Sequence, residues 1–336
     1  MSVLYHLPIL PPKMPSGEAL SQEIQALRDH NDGDLVYVNP NQNSLVYIPR
    51  LLFGLSRLKA LRAREQDFTL HHFYNPDPFP YPYLRYLRRP VVYTVSSGIS
   101  ARRIPARYLN RLAAVTVYDE RNQQRLLQAG VRNVHLIPPG IDTSRFTCTP
   151  LPLEDEVCLL VASAPWTRAQ FRTKGIDALL AAAQQDSRLR LAFLWRGILI
   201  EEMEQRIRDH GLTSRITLLN EFVDVNRILA GVHATITLAA DAALIKAYPH
   251  SLLDSLAAGK PVLVNRVIPM ADYVERTKCG IVMEKVVASE VLAALAALKQ
   301  QYNVLQQSAR QVGQRDFALC EMITSFQQVY QSVINA

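Results

Sequence analysis

The stretch VCLLVASAPWTRAQFRTKGIDALLAAAQQDSRLRLAFLW (157–195) carries the pattern that sets the architecture. Val157–Ala162 is apolar throughout, as a strand buried on both faces must be. Gly175–Gln185 reads as a helix, and Leu189–Trp195 is a second apolar run of strand length. Strands alternating with helices at this spacing predict a parallel sheet with helices on its faces.

The same alternation runs outward in both directions. Before it, strands are expected at Val3–Leu7, Leu35–Val38, Phe68–His72, Val91–Val95, Ala114–Tyr118 and Val134–Ile137, with helices at Ser21–His30, Arg50–Glu65 and Glu120–Gly130. After it, strands are expected at Ile216–Leu219, Ala234–Leu238, Pro261–Val264 and Gly280–Met283. Helices are expected there at Ile200–His210, Asn226–Ala230, Ser251–Ala258 and Ser289–Gln301. Between the two sets lies Pro138–Glu156, rich in proline and ending in three acids, which can continue neither helix nor sheet. The reading is therefore α/β, with two doubly wound, Rossmann-like domains at 1–145 and 146–315. A final amphipathic helix, 316–336, is expected to return to the first domain. Its apolar side is Phe317, Leu319, Met322, Ile323, Phe326, Val329, Tyr330 and Val333. In such folds ligands sit beyond the carboxyl ends of the strands, so the active cleft is expected between the domains.

Composition narrows the class. With 336 residues and 49% hydrophobic content, the chain can bury a substantial core and is not a disordered protein. The net charge of +7 lies wholly in residues 1–150. Acidic partners are therefore expected to meet the first half. Four cysteines without metal-ligand spacing predict neither a disulfide framework nor a zinc site, and point to a reducing cytoplasm. The proline-broken opening residues do not read as a signal peptide, and no apolar run is long enough to span a bilayer.

Three blocks in order resemble a known family. IPPGIDTSRF (137–146), RTKGIDALLAAA (172–183) and AYPHSLLDSLAAGKPVLVNR (247–266) are similar to signature blocks of the GT-B glycosyltransferases of group 1, or family 4. The likeness is good over 112–285 and weak over 1–111. It implies the GT-B fold and a retaining, metal-independent hexosyltransferase (class EC 2.4) that needs no cofactor. Such an enzyme moves a sugar from a nucleotide-diphosphate donor (UDP or GDP) to a saccharide or lipid-linked acceptor in polysaccharide or glycolipid synthesis.

That chemistry needs the leaving diphosphate neutralised and the nucleoside gripped. Lys174, which matches the family lysine and precedes Gly175 at a helix start, is the first candidate for the diphosphate charge; a solvated loop lysine is the alternative. The family's arginine position is Ala169 here, so Arg168 or Arg172 would supply a second cation, with Arg168 slightly favoured. His250, Ser251 and Leu252 lie where a loop enters a helix, with Ser251 as the expected N-cap. The resemblance implies that backbone amides there meet the diphosphate. Asp254 takes the place of the family's ribose-binding glutamate with a shorter reach; balancing the helix dipole is its plainer role. The family's other acid is replaced by Lys246. Either Lys246 meets an anionic donor group such as a uronate, or Asp241 supplies the carboxylate from a shifted loop, or transfer has been lost.

In the first half, Gly17 stands where the family has a glycine-rich loop, though an ordinary turn fits nearly as well. Ser96 stands where the family often has histidine. His71 and His72 end another predicted strand, where either one of them faces the cleft to contact the acceptor or donor sugar or both are structural, and Tyr74 leads an aromatic, proline-rich loop suited to sugar faces or to a rigid surface. The basic stretch Arg50–Glu65, with Arg85, Arg88, Arg89, Arg102, Arg103, Arg107 and Arg111, suits an anionic membrane or a lipid phosphate. A solvated helix face suits it equally. Nucleic acid is not expected, since no recognition motif is present. Two other functions fit the same scaffold: a sugar-nucleotide epimerase or hydrolase, and a catalytically degraded homologue that binds glycan or nucleic acid.

Overall fold

The computed structural model describes residues 1–11, 19–42, 44–99, 103–195 and 198–335. Gly17 lies outside them. The chain divides into two compact units, Met1–Gly140 with Leu319–Ala336, and Ile141–Ala318.

The first unit is a parallel sheet of β1 (Ser2–Leu7), β2 (Asp32–Tyr37), β3 (Leu70–Asn75), β4 (Val91–Val95), β5 (Ala114–Val117) and β6 (Val134–Leu136). Their order in the sheet is β2-β1-β3-β4-β5-β6. The connections carry α1 (Ala19–His30), α2 (Leu58–Arg64), α3 (Ala106–Leu109) and α4 (Glu120–Gln128). One face of the sheet buries Val91, Tyr93, Val95, Val115 and Val117 beneath Tyr81, Tyr83 and Leu109. The other buries Val3, Tyr5, Leu70 and Val92 beneath Ile24 and Leu27 and a helix from the far end of the chain.

The second unit is built alike from β7 (Val157–Val161), β8 (Leu189–Leu194), β9 (Ile216–Leu219), β10 (Ala234–Thr237), β11 (Val262–Asn265) and β12 (Gly280–Met283). Their order is β12-β11-β10-β7-β8-β9, again all parallel. Its helices are α5 (Ala169–Thr173), α6 (Ile176–Gln185), α7 (Ile200–Asp209), α8 (Val225–Ala230), α9 (His250–Ala257), α10 (Met270–Thr277) and α11 (Ala288–Arg315). The last helix of the chain, α12 (Leu319–Ile334), belongs to the first unit. There Met322, Ile323, Phe326, Val329 and Tyr330 form part of the core.

Among the elements that differ from the sequence reading, three lie at helices. The helix expected at Arg50–Glu65 is only Leu58–Arg64, preceded by a 3-10 turn at Arg50–Leu52. Gly54, at φ 78° and packed on the Tyr83 ring, interrupts the helical path between them. The helix expected to end at Gln301 continues to Arg315, because Tyr302, Leu305, Ala309 and Val312 keep the buried spacing. Phe317 is not part of the final helix: it packs on Tyr248 and Tyr273 in the second unit, where its carbonyl accepts from the Ile141 amide at 2.9 Å.

Among the described residues, no helix is long and apolar enough to cross a membrane.

Candidate functional site

In the second unit the chain leaves β7 toward β8 and β9 on one side, then returns to lay β10, β11 and β12 on the other. The sheet order thus reverses between β7 and β10. At such a reversal the loops leaving two neighbouring strands diverge, and ligands bind at their carboxyl ends. The β7 loop leads through α5 to Lys174, and the β10 loop leads to α9. The two are joined: the Ala240 amide donates to the Thr173 carbonyl at 2.7 Å. Asn265, at the end of β11, braces the second loop by exchanging two hydrogen bonds with the Ala239 backbone at 2.9 and 2.8 Å.

Lys174 follows α5 directly and is 8% exposed. Its Nζ donates to the Ala164 carbonyl at 3.0 Å, and burial holds its pKa below that of an ordinary lysine. Gly175 then adopts φ 73° as the N-cap of α6, with Leu238 packed where a side chain would go. A buried cation with one carbonyl partner has donor capacity left over.

At α9 the N-cap is Pro249, not Ser251, which lies within the first turn. Proline fits here because its own missing N–H leaves no unpaired donor. The Leu252 and Leu253 amides both donate to the Pro249 carbonyl, at 2.9 and 3.3 Å. That leaves the His250 and Ser251 amides as the donors at this helix end. Leu252 is therefore excluded from the proposed amide set: its N–H is committed, and its side chain is fully buried. Burial, with the nearby charge of Lys246, holds the His250 imidazole well below its usual pKa. Asp254 sits half-buried on the second turn of α9. Asp241 is exposed, and its carboxylate accepts from the Ala243 amide at 2.8 Å.

The candidate Arg168 points elsewhere. Arg168 is largely exposed, and its guanidinium donates to Glu202 on α7 at 2.9 Å. Glu202 also pairs with Arg206, which in turn pairs with Asp177 and lies over the Phe171 ring. Arg168 thus ends a chain of ion pairs that clamps α5 to α7. Arg172 is exposed and makes no ion pair among the described residues.

In the first unit, both histidines proposed for the site are core residues. His72 is fully buried, with Nδ1 2.6 Å from the Tyr330 hydroxyl and Nε2 2.6 Å from the Thr94 hydroxyl. His71 is buried between His6, at 2.9 Å, and Glu65, at 3.1 Å. Strand β3 runs to Asn75, beyond the expected end at His72, so these positions are mid-strand and point into the protein. Tyr74 is also fully buried, against Phe326 and the His72 ring. None of the three can reach a ligand. Ser96 does sit at a strand end, just after β4. It is buried, with its amide donating to the Asn75 carbonyl at 2.9 Å and its hydroxyl to the same oxygen at 3.4 Å.

In sequence, residues 19–145 match the family model described as Glycosyltransferase Family 4. No curated protein matches the chain. Among solved structures, the chain superposes on Anabaena HepE, crystallised with UDP and glucose, at a TM-score of 0.74 with 15% identity, covering 99% of this chain and 100% of that one. Sucrose-phosphate synthase from Thermosynechococcus elongatus gives 0.72 with 14% identity, covering 99% of each. WaaG, a glycosyltransferase of lipopolysaccharide biosynthesis, gives 0.68 with 15% identity, covering 97% of this chain and 99% of that one. The chain has the GT-B glycosyltransferase fold.

Within this GT-B chain, the family model covers mainly the half in which the motif resemblance is weaker. The first unit also has a strand-order reversal, between β1 and β3. At the β3 end, Arg50 donates to Asp77 at 3.0 and 2.5 Å, to Asn75 at 2.9 Å and to the Tyr81 hydroxyl at 2.7 Å. Its guanidinium also lies over the Phe79 ring at 4.5 Å. Sequence reasoning counted Arg50 as one of many basic residues and missed this role. Asn265 was missed too, although an asparagine closing an apolar strand (VLVN) is a readable signal.

Proposed function

We propose that this chain is a retaining, metal-independent glycosyltransferase that takes its sugar from a nucleoside diphosphate donor held by the second unit. The observation that carries the reading is the meeting of the Lys174 loop with the loop that leaves β10 toward α9 at the β7–β10 reversal, tied by the Ala240–Thr173 hydrogen bond. A second support is the fold shared with HepE, whose structures hold UDP and UDP-glucose.

In this reading the diphosphate lies against the His250 and Ser251 amides, with the Lys174 ammonium neutralising charge as the leaving group departs. Free amides and a positive helix end favour an anion there, and low water content strengthens each contact. Asp254 accepts from the ribose hydroxyls. Lys246, close enough to His250 to depress its pKa, meets an acidic group of the donor sugar. The acceptor hydroxyl of a saccharide or lipid-linked glycan attacks the anomeric carbon on the face that the diphosphate leaves. The C–O bond to phosphate breaks, the new glycosidic bond forms, and a phosphate oxygen takes the acceptor proton.

Incubation with UDP- and GDP-sugars, including UDP-uronates, with and without saccharide acceptors tests this. Proton NMR of the product should show the donor's anomeric configuration retained, and turnover should persist in EDTA. Inversion, or turnover abolished by EDTA and restored by a divalent cation, contradicts the mechanism. A change in the sugar nucleotide without any acceptor contradicts transfer itself.

A further inference from the structure

The first unit carries an apolar projection that its own core does not cover. Leu45 is fully exposed, Val46 and Tyr47 are 71% and 80% exposed, and Leu51 and Leu52 are about half exposed. The backbone holding them is anchored: Asn41 accepts from the Ile48 amide at 2.7 Å and donates to the Ile48 carbonyl at 3.1 Å. Behind them, Arg50 is fastened to Asp77, Asn75 and Tyr81. The segment is thus presented by a tied base. Single exposed apolar residues need no explanation, but five within eight positions concentrate exposed apolar surface on one short segment.

The surroundings of the patch are cationic. The turn at Arg50–Leu52 packs against the turn at Pro82–Tyr86, which exposes Tyr86. The end of α2 is fixed beside the next residues, because the Glu65 carboxylate accepts from the Arg88 and Arg89 amides. Residues 44–66 and 82–90 together hold eight arginines and lysines and one acid, Glu65, which is buried. Arg50 and Arg64 are paired with Asp77 and Asp34. Arg57, Lys59, Arg62, Arg85 and Arg88 are exposed and make no ion pair among the described residues. Arg57 and Arg64 also line a groove along β2 with Tyr37, Asn39 and Ser56.

We propose that this face docks on an anionic lipid bilayer, with Leu45, Val46, Tyr47, Leu51 and Leu52 entering the headgroup–acyl boundary and the surrounding cations meeting lipid phosphates. The two halves of the patch match the two layers of such a surface. Apolar side chains gain by leaving water for the acyl boundary, and an aromatic with a polar tip suits the interface. Each exposed cation near a negative leaflet adds a comparable increment, and neither contribution alone gives stable anchoring. A soluble acidic protein would satisfy the cations but would leave the projecting leucine and valine without a matching layer. The inference is independent of the donor site, which lies in the second unit.

Cosedimentation of the full chain with sucrose-loaded vesicles tests it, comparing phosphatidylcholine alone with phosphatidylcholine plus phosphatidylglycerol. The wild type should bind the anionic vesicles and not the neutral ones, and should be released by high salt. Replacing Arg57, Lys59 and Arg62 together by Gln should lower the partition coefficient roughly 100-fold. Replacing Leu45, Val46 and Tyr47 together by Ser should lower it at least roughly 10-fold while leaving the thermal transition unchanged, since these side chains are exposed. A Tyr47→Trp variant should show, beyond the wild-type signal, blue-shifted indole emission only with anionic vesicles. Unchanged binding in either triple variant, no preference for the anionic lipid, or an unshifted emission from the Tyr47→Trp variant overturns the proposal. So does a concentration-dependent dimer in solution that the Ser variant dissolves, which would assign the patch to a second copy of the chain.

Discussion

Replacing Gly175 by alanine is expected to damage the second unit at a single methyl group. Gly175 sits at φ 73°, a conformation that costs an L-residue about 1–2 kcal/mol. A Cβ placed there would lie 2.6 and 2.7 Å from Leu238 Cδ1 and Cβ, and 3.0 Å from Val286 Cγ1. Leu238 is buried immediately after β10 and cannot swing into solvent, so overpacking adds about 1–3 kcal/mol. The sum, roughly 2–5 kcal/mol, should lower the Tm of this unit by about 5–15 °C. Gly211 provides the control: it has φ 64° in the same unit, but nothing lies within 4 Å of its Cβ position. Gly211→Ala should therefore carry the backbone cost alone, about 1–2 kcal/mol. Urea unfolding followed by circular dichroism measures both. If Gly175→Ala is no more destabilising than Gly211→Ala, the close approach of α6 to the β10 loop is wrong, and with it the local geometry of Lys174.

Lys174→Ala should reduce kcat about 10²–10³-fold, the usual loss when a charge-stabilising donor leaves a dry site, without lowering Tm, because removing the buried ammonium also removes its desolvation cost. Coupled detection of released nucleoside diphosphate reads the rate. His72→Ala should do the opposite. Removing the ring opens a cavity and strands the Tyr330 and Thr94 hydroxyls, costing about 3–5 kcal/mol in urea unfolding, while kcat well below Tm stays at the wild-type value. Acid should unfold the first unit steeply. Burial holds His6 and His72 well below their unfolded pKa, so the unfolded chain takes up the protons the folded one refuses. The stability they permit is complete above an unfolded pKa of about 6.5 and falls below it by up to about 2.7 kcal/mol per pH unit, a slope that urea titrations from pH 7 to 5 measure.

Much of the fold was legible because parallel strands buried on both faces have to be apolar throughout. Val91–Val95, Ile216–Leu219 and Gly280–Met283 end where the sequence reading ends them. What sequence could not show was partnership across long separations. His72 looked like a strand-end histidine because the strand was expected at Phe68–His72; the Tyr330 that satisfies it lies 258 positions away. Sequence slightly favoured Arg168 over Arg172 beside Lys174, and only the placement of α7 shows that Glu202 claims Arg168. The α9 entry was readable as a helix start, but which residue caps it depended on Pro249 being extended, at ψ 125°. The exposed projection at 45–52 was hidden in part because Leu51 shared an apolar face with Leu55, Leu58 and Leu61 in the helix expected at Arg50–Glu65.

The central claim is that Lys174 and the first amides of α9 form one anion site. Isothermal titration of the wild type and of Lys174→Ala with UDP, GDP and ADP tests it most directly. The account predicts that one of the three binds the wild type and that the lysine variant weakens it at least about 10-fold, the worth of one charge-assisted contact. Equal affinity in the two proteins, or no binding of any of the three to the wild type, would contradict it.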